Sequence, residues 1–160
     1  MRLAIIAIGR MKKGPETELV GRYADRIRQI GQVIGASSLE ITEIPESRAT
    51  SATQRKEEEY QAMLAKLPEN GLVYILDERG KTISSVTFSD QLQQAASDGV
   101  KQISFIIGGP DGLSKTWRQS GHRIFSFGAL TMPHQLVRVL LAEQLYRACS
   151  IASGHPYHRE

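Results

Sequence analysis

At 160 residues and 41% hydrophobic, the chain supports one domain with a sizeable core and little room for a second. Charged residues make up 23%, with both signs spread along the chain, so an extended polyelectrolyte is excluded and an ordered soluble protein is expected. The net charge of +3 tolerates a polyanionic partner without requiring one, because no block of five like charges occurs.

Met1 to Ile8 is apolar but soon interrupted by Gly9-Arg10-Met11-Lys12-Lys13, too short for a signal or a membrane span. Leu3–Ile8 reads instead as a first buried strand. Gly14-Pro15-Glu16 starts a helix, since proline suits its first position and glutamate the positive end of its dipole. Leu19, Val20, Tyr23, Ile27 and Ile30 give that helix one buried face. Arg22, Arg26 and Arg28 lie on the other, either as a solvated face or as a phosphate-contacting one.

Leu39–Ile44 alternates apolar and polar residues, a strand with one face less buried, and Pro45 ends it. Residues 46–53 are a polar stretch, of which Ser47 to Thr53 reads as a mobile loop, followed by a charged helix from about Gln54 to Leu67. Tyr60, Met63, Leu64 and Leu67 form its apolar stripe, and Arg55-Lys-Glu-Glu-Glu59 reads as a solvated face. Leu72–Leu76 is a compact strand capped by Asp77, after which residues 78–81 turn away. A helix over Ser89 to about Ala96 stops at Gly99, and Ile103–Ile107 is the next strand. Strands and helices alternate throughout, which predicts an α/β fold with a mainly parallel sheet and helices on both faces.

The last third concentrates the candidate chemistry. Gly109 through Lys115 and Thr116 nearly matches a phosphate-binding loop, but Ser114 stands where the second glycine belongs and Pro110 removes a backbone donor. A nucleotide hydrolase is therefore disfavoured. Phe127 to Met132 is small and nearly uncharged; it is either an ordinary strand-to-helix connection or a cradle holding adenine through backbone hydrogen bonds. The helix from His134 to about Ala152 carries Leu136, Val137, Leu140, Leu141, Leu145 and Ala148, an arc wide enough to demand burial under the sheet or against another subunit. Arg138 is the odd charge on that arc, and Arg147 pairs with Glu143 at i,i+4. Cys149 falls within the same pattern and reads as a core thiol; being alone it forms no internal disulfide, which fits a reducing, cytoplasmic setting. The tail, His155-Pro-Tyr-His-Arg159, is too polar for the core, is a weak metal site, and suits stacking on a base beside a phosphate; a frayed terminus is the bland alternative.

Phe105–Leu113, Leu130–Ala148 and His155–Arg159 together resemble the RlmH family, small SPOUT-class methyltransferases that modify ribosomal RNA, and the likeness covers essentially the whole chain. The resemblance implies a single SPOUT domain over residues 1–160 with a C-terminal trefoil knot, a rare exception among folds. It implies a homodimer and S-adenosylmethionine, contacted by Leu76, Gly108, Phe127, Gly128, Ala129, Leu130, Thr131 and Met132. The implied product is a pseudouridine methylated at N3 in 23S rRNA of the assembled ribosome. Family members often carry leucine-serine where this chain has Phe127-Gly128. His134, Tyr157, His158 and Arg159 are then the catalytic candidates, the tail serving the partner subunit's site. Arg22 and Arg26 are RNA-binding candidates together with Arg138, which orients or binds RNA, and the chemistry needs neither metal nor membrane. A non-catalytic ribosome-binding or assembly factor on the same fold is the alternative.

Overall fold

Strand β1 (Arg2–Ile8) pairs in parallel with β2 (Ser38–Ile44) on one side and with β4 (Gln102–Ile107) on the other. Beyond β4 lie β3 (Leu72–Lys81) and β5 (Arg123–Phe125), completing a five-stranded parallel sheet in the order β2-β1-β4-β3-β5. The computed structural model describes residues 1–159, so Glu160, which closes the tail in sequence, lies outside them.

Alternation along each central strand builds two cores. Leu3, Ile5, Ala7, Tyr74, Phe105 and Ile107 face one side, where α1 (Pro15–Ile30), α3 (Ser85–Ser97) and α5 (His134–Ala152) pack. Ile6, Ile8, Val73, Ile75 and Ile106 face the other, against Met63 of α2 (Ala52–Leu64) and Trp117 of the short α4 (Lys115–Gln119). The expected α/β class with helices on both faces is what forms. Because α1 follows β1 on one face and α4 follows β4 on the other, the chain reverses its winding between two adjacent strands, where ligands collect at carboxyl ends.

Local chemistry explains the element ends. Pro15 opens α1 with Glu16 and Glu18 in its first turn. Ser51 and Ser84 cap α2 and α3, their hydroxyls accepting from the N–H groups of Gln54 and Thr87. The Ser84 cap starts α3 four residues before the expected Ser89. Nor does β3 end at Asp77: it runs to Lys81, because Gly80 lets the backbone lie against Phe125. A Cβ at residue 80 would come within 2.6 Å of the Phe125 carbonyl carbon, so only glycine permits this pairing.

Two other expectations are corrected. The loop from Ser47 to Thr53, expected to be mobile, is tied down, since Ser47 N–H donates to Glu59 and Arg55 donates to the carbonyls of Ala49 and Thr50. Glu59, assigned to a solvated face, is buried, and burial raises its carboxyl above the ordinary range. Among the large hydrophobic residues of the long helices, Leu64, Val86, Leu136 and Leu140 are exposed. Cys149 is a core thiol, fully buried and pushed up to about 12 by desolvation, so it is an inert packing group.

Candidate active site

Parallel pairing brings three strand ends together. Leu76 is in register with Ile107 on one side and Phe125 on the other, so Leu76, Gly108 and the loop after Phe125 share one edge of the sheet. Leu76 is buried, while Gly108 is partly open.

The loop from Ser126 to Pro133 is closed on itself at its start. The buried Ser126 hydroxyl donates to the Gly128 carbonyl at 2.7 Å and accepts from the Gly128 N–H at 3.0 Å. Gly128 has φ +131, a conformation side-chain-bearing residues rarely adopt, which accounts for glycine at this position. Phe127 packs edge-on against Phe125 with ring centroids 5.4 Å apart. Ala129, Leu130 and Thr131 are exposed, with Thr131 donating to Glu78 at 3.4 Å. Among the described residues, no hydrogen bond engages the backbone N–H groups of Ala129 to Met132. Below the loop is a cleft of about 210 Å³ lined by Ser84, Ser85, Phe125, Ser126, Phe127 and Gln144, among others, with Ser85 donating to Gln144 at 2.7 Å.

The glycine turn after β4 is braced from α2. Arg55 makes a two-pronged bridge to Asp111, at 2.7 and 3.1 Å, and those bonds hold the Asp111 carboxyl below its ordinary range. Ser114 caps α4, and the Glu57 carboxylate stands within 3.3 Å of the Ser114 hydroxyl and 3.5 Å of that of Thr116. A carboxylate at this point repels a phosphate, a physical reason beyond the glycine mismatch why this turn is no triphosphate cradle.

At the neighbouring strand end, His134 begins α5 beside Gly9, its Nε2 3.5 Å from where a Cβ on Gly9 would sit. One turn on lies Arg138, expected to orient or bind RNA. It is 0% exposed, its Nη2 donating to the carbonyls of Ile8 at 2.8 Å and Gly9 at 2.6 Å and its Nη1 to Glu43 at 2.7 Å. A guanidinium with no accessible surface does not contact RNA; this one fastens α5 to the end of β1. Burial lowers its pKa and Glu43 opposes the shift. Of the other RNA candidates, Arg22 is exposed, whereas Arg26 is half-buried over the Tyr23 and Tyr146 rings, 5.8 and 5.3 Å from their centroids.

The tail folds back on its own helix. Tyr157 packs on Tyr146 with centroids 4.7 Å apart, its hydroxyl donating to Glu143 at 3.0 Å and lying 3.4 Å from that of Tyr23. Arg147 binds the same Glu143 carboxylate, as expected, and lies 4.9 Å over the Tyr157 ring and 3.4 Å from His158 Nδ1. Burial, then the contacts with Tyr23 and Glu143, push the Tyr157 hydroxyl well above its ordinary range. His158 is half-buried and Arg159 exposed. Within one chain His134 and Tyr157 are kept apart: Tyr157 docks on Glu143, nine residues along α5, or about 13 Å by helical rise. Glu143 as the tail's anchor was missed because an i,i+4 pairing with Arg147 already accounted for it. Arg138 carried a signal, a lone charge on an otherwise apolar arc, that pointed to a buried tether.

A five-stranded parallel sheet with a glycine turn, a loop of free backbone donors and a helix leaving that loop defines an α/β ligand-binding domain with its site at the strand carboxyl ends. Residues 1–158 match the family model described as "Predicted SPOUT methyltransferase", and the chain belongs to that family. It is 50% identical over 159 residues to the Ribosomal RNA large subunit methyltransferase H of Bradyrhizobium sp. (strain ORS 278), covering 99% of this chain and 98% of that one. It is 50% identical over 159 residues to the protein of the same name in Nitrobacter hamburgensis, covering 99% of both chains. Among the described residues no helix is long and apolar enough to cross a membrane, and no cluster of three metal-ligating side chains occurs.

Proposed function

We propose that this protein methylates N3 of a pseudouridine in 23S rRNA of the assembled ribosome, using S-adenosylmethionine, as a homodimer whose C-terminal segment forms a trefoil knot. The observation that carries the reading is the loop from Ser126 to Pro133, which presents the unengaged backbone N–H groups of Ala129 to Met132 beside Leu76 and Gly108. Family membership and the name shared by relatives half identical to this chain support the reaction class and the RNA.

The donor set fits an adenosyl group. Free backbone N–H groups suit the acceptors on an adenine edge, and Leu76, Phe127, Leu130 and Met132 supply apolar surface for its ring. When bound, S-adenosylmethionine supplies a sulfonium-activated methyl carbon. Alignment of the imide nitrogen with that carbon is then the protein's main contribution. His134, at the start of α5, takes or polarises the N3 proton. Tyr157, His158 and Arg159 hold the RNA over the partner's pocket, and the separation of about 13 Å between His134 and the docked tail of one chain supports that division of labour. Leu136 and Leu140, 44% and 36% exposed on one side of α5, supply an apolar seam for the second copy.

The test is mass-spectrometric mapping of rRNA methylation after deletion of the gene, followed by complementation. Loss of one N3-methyl mark and its return with the wild-type gene is expected; a methylation pattern unchanged by the deletion would sink the reading.

A further inference from the structure

We infer that the open edge of the sheet, along β3 and β5, carries a second RNA-contacting site that takes the phosphodiester backbone of the substrate strand. This rests on the proposed rRNA substrate and adds where that strand enters. The residues involved are outside the cofactor loop and outside the tail.

A cleft of about 420 Å³ opens beside β5 and is lined by Tyr74, Arg79, Lys81, Gln91, Arg123 and Phe125, among others. Its three cations are exposed and form no ion pair among the described residues. The acids nearest in sequence are engaged elsewhere: Asp77 is bound by Arg118 at 3.3 Å and Glu78 by Thr131 at 3.4 Å. The cleft therefore presents positive charge that nothing within it neutralises.

Arg123 is held in place rather than waving in solvent. Its Nη1 donates to the Tyr74 hydroxyl at 2.9 Å, its guanidinium lies 5.6 Å over the same ring, and Tyr74 in turn donates to Gln91 at 2.9 Å. Only one of its five N–H donors is used in a described bond, so the rest of the fork is free for phosphate oxygens. Tyr74 is 1% exposed, which makes this a built mount for the arginine.

Position argues for the substrate strand over a loose anion. The cation cleft and the smaller cleft beneath the cofactor loop share Ile83 and Phe125 as lining, so they lie side by side. A backbone seated on Arg79, Lys81 and Arg123 lies next to the cleft that Phe127 lines. Phosphate contacts of this kind fix register without reading sequence, which suits an enzyme acting at one place on a large folded RNA.

The decisive comparison is between wild type and Arg79→Glu/Lys81→Glu, both exposed positions, with Arg123→Gln as a milder second variant that keeps a donor for Tyr74. Cofactor affinity by calorimetry and the thermal midpoint should be unchanged in the double variant. The KM for ribosomes should rise about tenfold with kcat within about twofold, and the slope of log affinity against log salt should shrink by roughly 1 to 2. Filter binding to ribosomes without turnover is measured alongside. If wild type binds ribosomes but transfers no methyl group, the proposed activity fails while this binding comparison still decides the site. Undiminished ribosome binding by the double variant, or none by wild type, overturns the inference.

Discussion

Arg138 and Glu43, 95 residues apart in sequence, meet at 2.7 Å beneath the start of α5. The same guanidinium holds the last two carbonyls of the β1 end, and Glu43 also accepts from the Met11 N–H at 2.8 Å. Removing the cation strands several buried acceptors at once. Arg138→Met is expected to cost about 3–5 kcal/mol in denaturant unfolding, with Arg138→Lys recovering part of it. A loss below about 1 kcal/mol would show that the tether is dispensable.

Tyr157 docks the tail through its ring and its hydroxyl. Tyr157→Phe keeps the packing on Tyr146 and deletes the bonds to Glu143 and Tyr23, so amide exchange in residues 155–159 should speed up about fivefold to tenfold while the core is unchanged. Its raised pKa means the neutral hydroxyl is favoured by docking. That contribution is whole below the unfolded value near 10 and is lost as pH rises through the folded one, so tail protection should be flat from pH 7 to 9. Deleting residues 157–160 should abolish methyl transfer and leave S-adenosylmethionine binding within about twofold; full activity in that truncation would refute the tail's role.

The buried Glu59 gives the pH dependence of stability a definite sign. Desolvation raises its carboxyl and the Ser47 N–H partly offsets this. Folding therefore favours the protonated form, whose contribution is complete below about pH 4.3 and is lost as pH rises through the folded value. Glu59→Gln keeps an acceptor for Ser47. Its thermal midpoint should exceed that of wild type by about 2–4 °C at pH 7 and match it near pH 3.5. The same gain at both pH values would rule out a buried charge as its source.

Ser126 closes the loop after β5 with two bonds to Gly128. Ser126→Ala should weaken S-adenosylmethionine binding about fivefold to tenfold, near 1 kcal/mol, with little change in the unfolding midpoint. Calorimetry giving an affinity within about twofold of wild type would mean the loop is held by other contacts.

Strands β1 and β4 and helix α5 were legible because their apolar runs are long and the parallel sheet buries both faces of its centre, and edge strand β2 was legible from its alternation. The continuation of β3 was not legible. Asp77-Glu-Arg-Gly reads locally as a turn, and only the close approach of Phe125 to Gly80 makes it a strand. Helix α4 has five residues and no periodicity to detect. For the candidate site, small-residue loops after strands pointed to the edge of the sheet where Leu76, Gly108 and the loop after Phe125 meet. Charges were harder: Arg22 and Arg138 are the same residue type on helices, and what separates an exposed cation from a buried tether is the partners that tertiary structure supplies.

Because Arg138 clamps α5 to the β1 end, the helix has a fixed axial register. It works as a ruler, with His134 one turn before the clamp and the tail's anchor, Glu143, five residues after it. Sliding by a single turn, about 5.4 Å, would break the clamp and misplace both ends together. The spacing between His134 and the tail's anchor is therefore a property of one rigid rod, set by the helical rise and not by loop conformation.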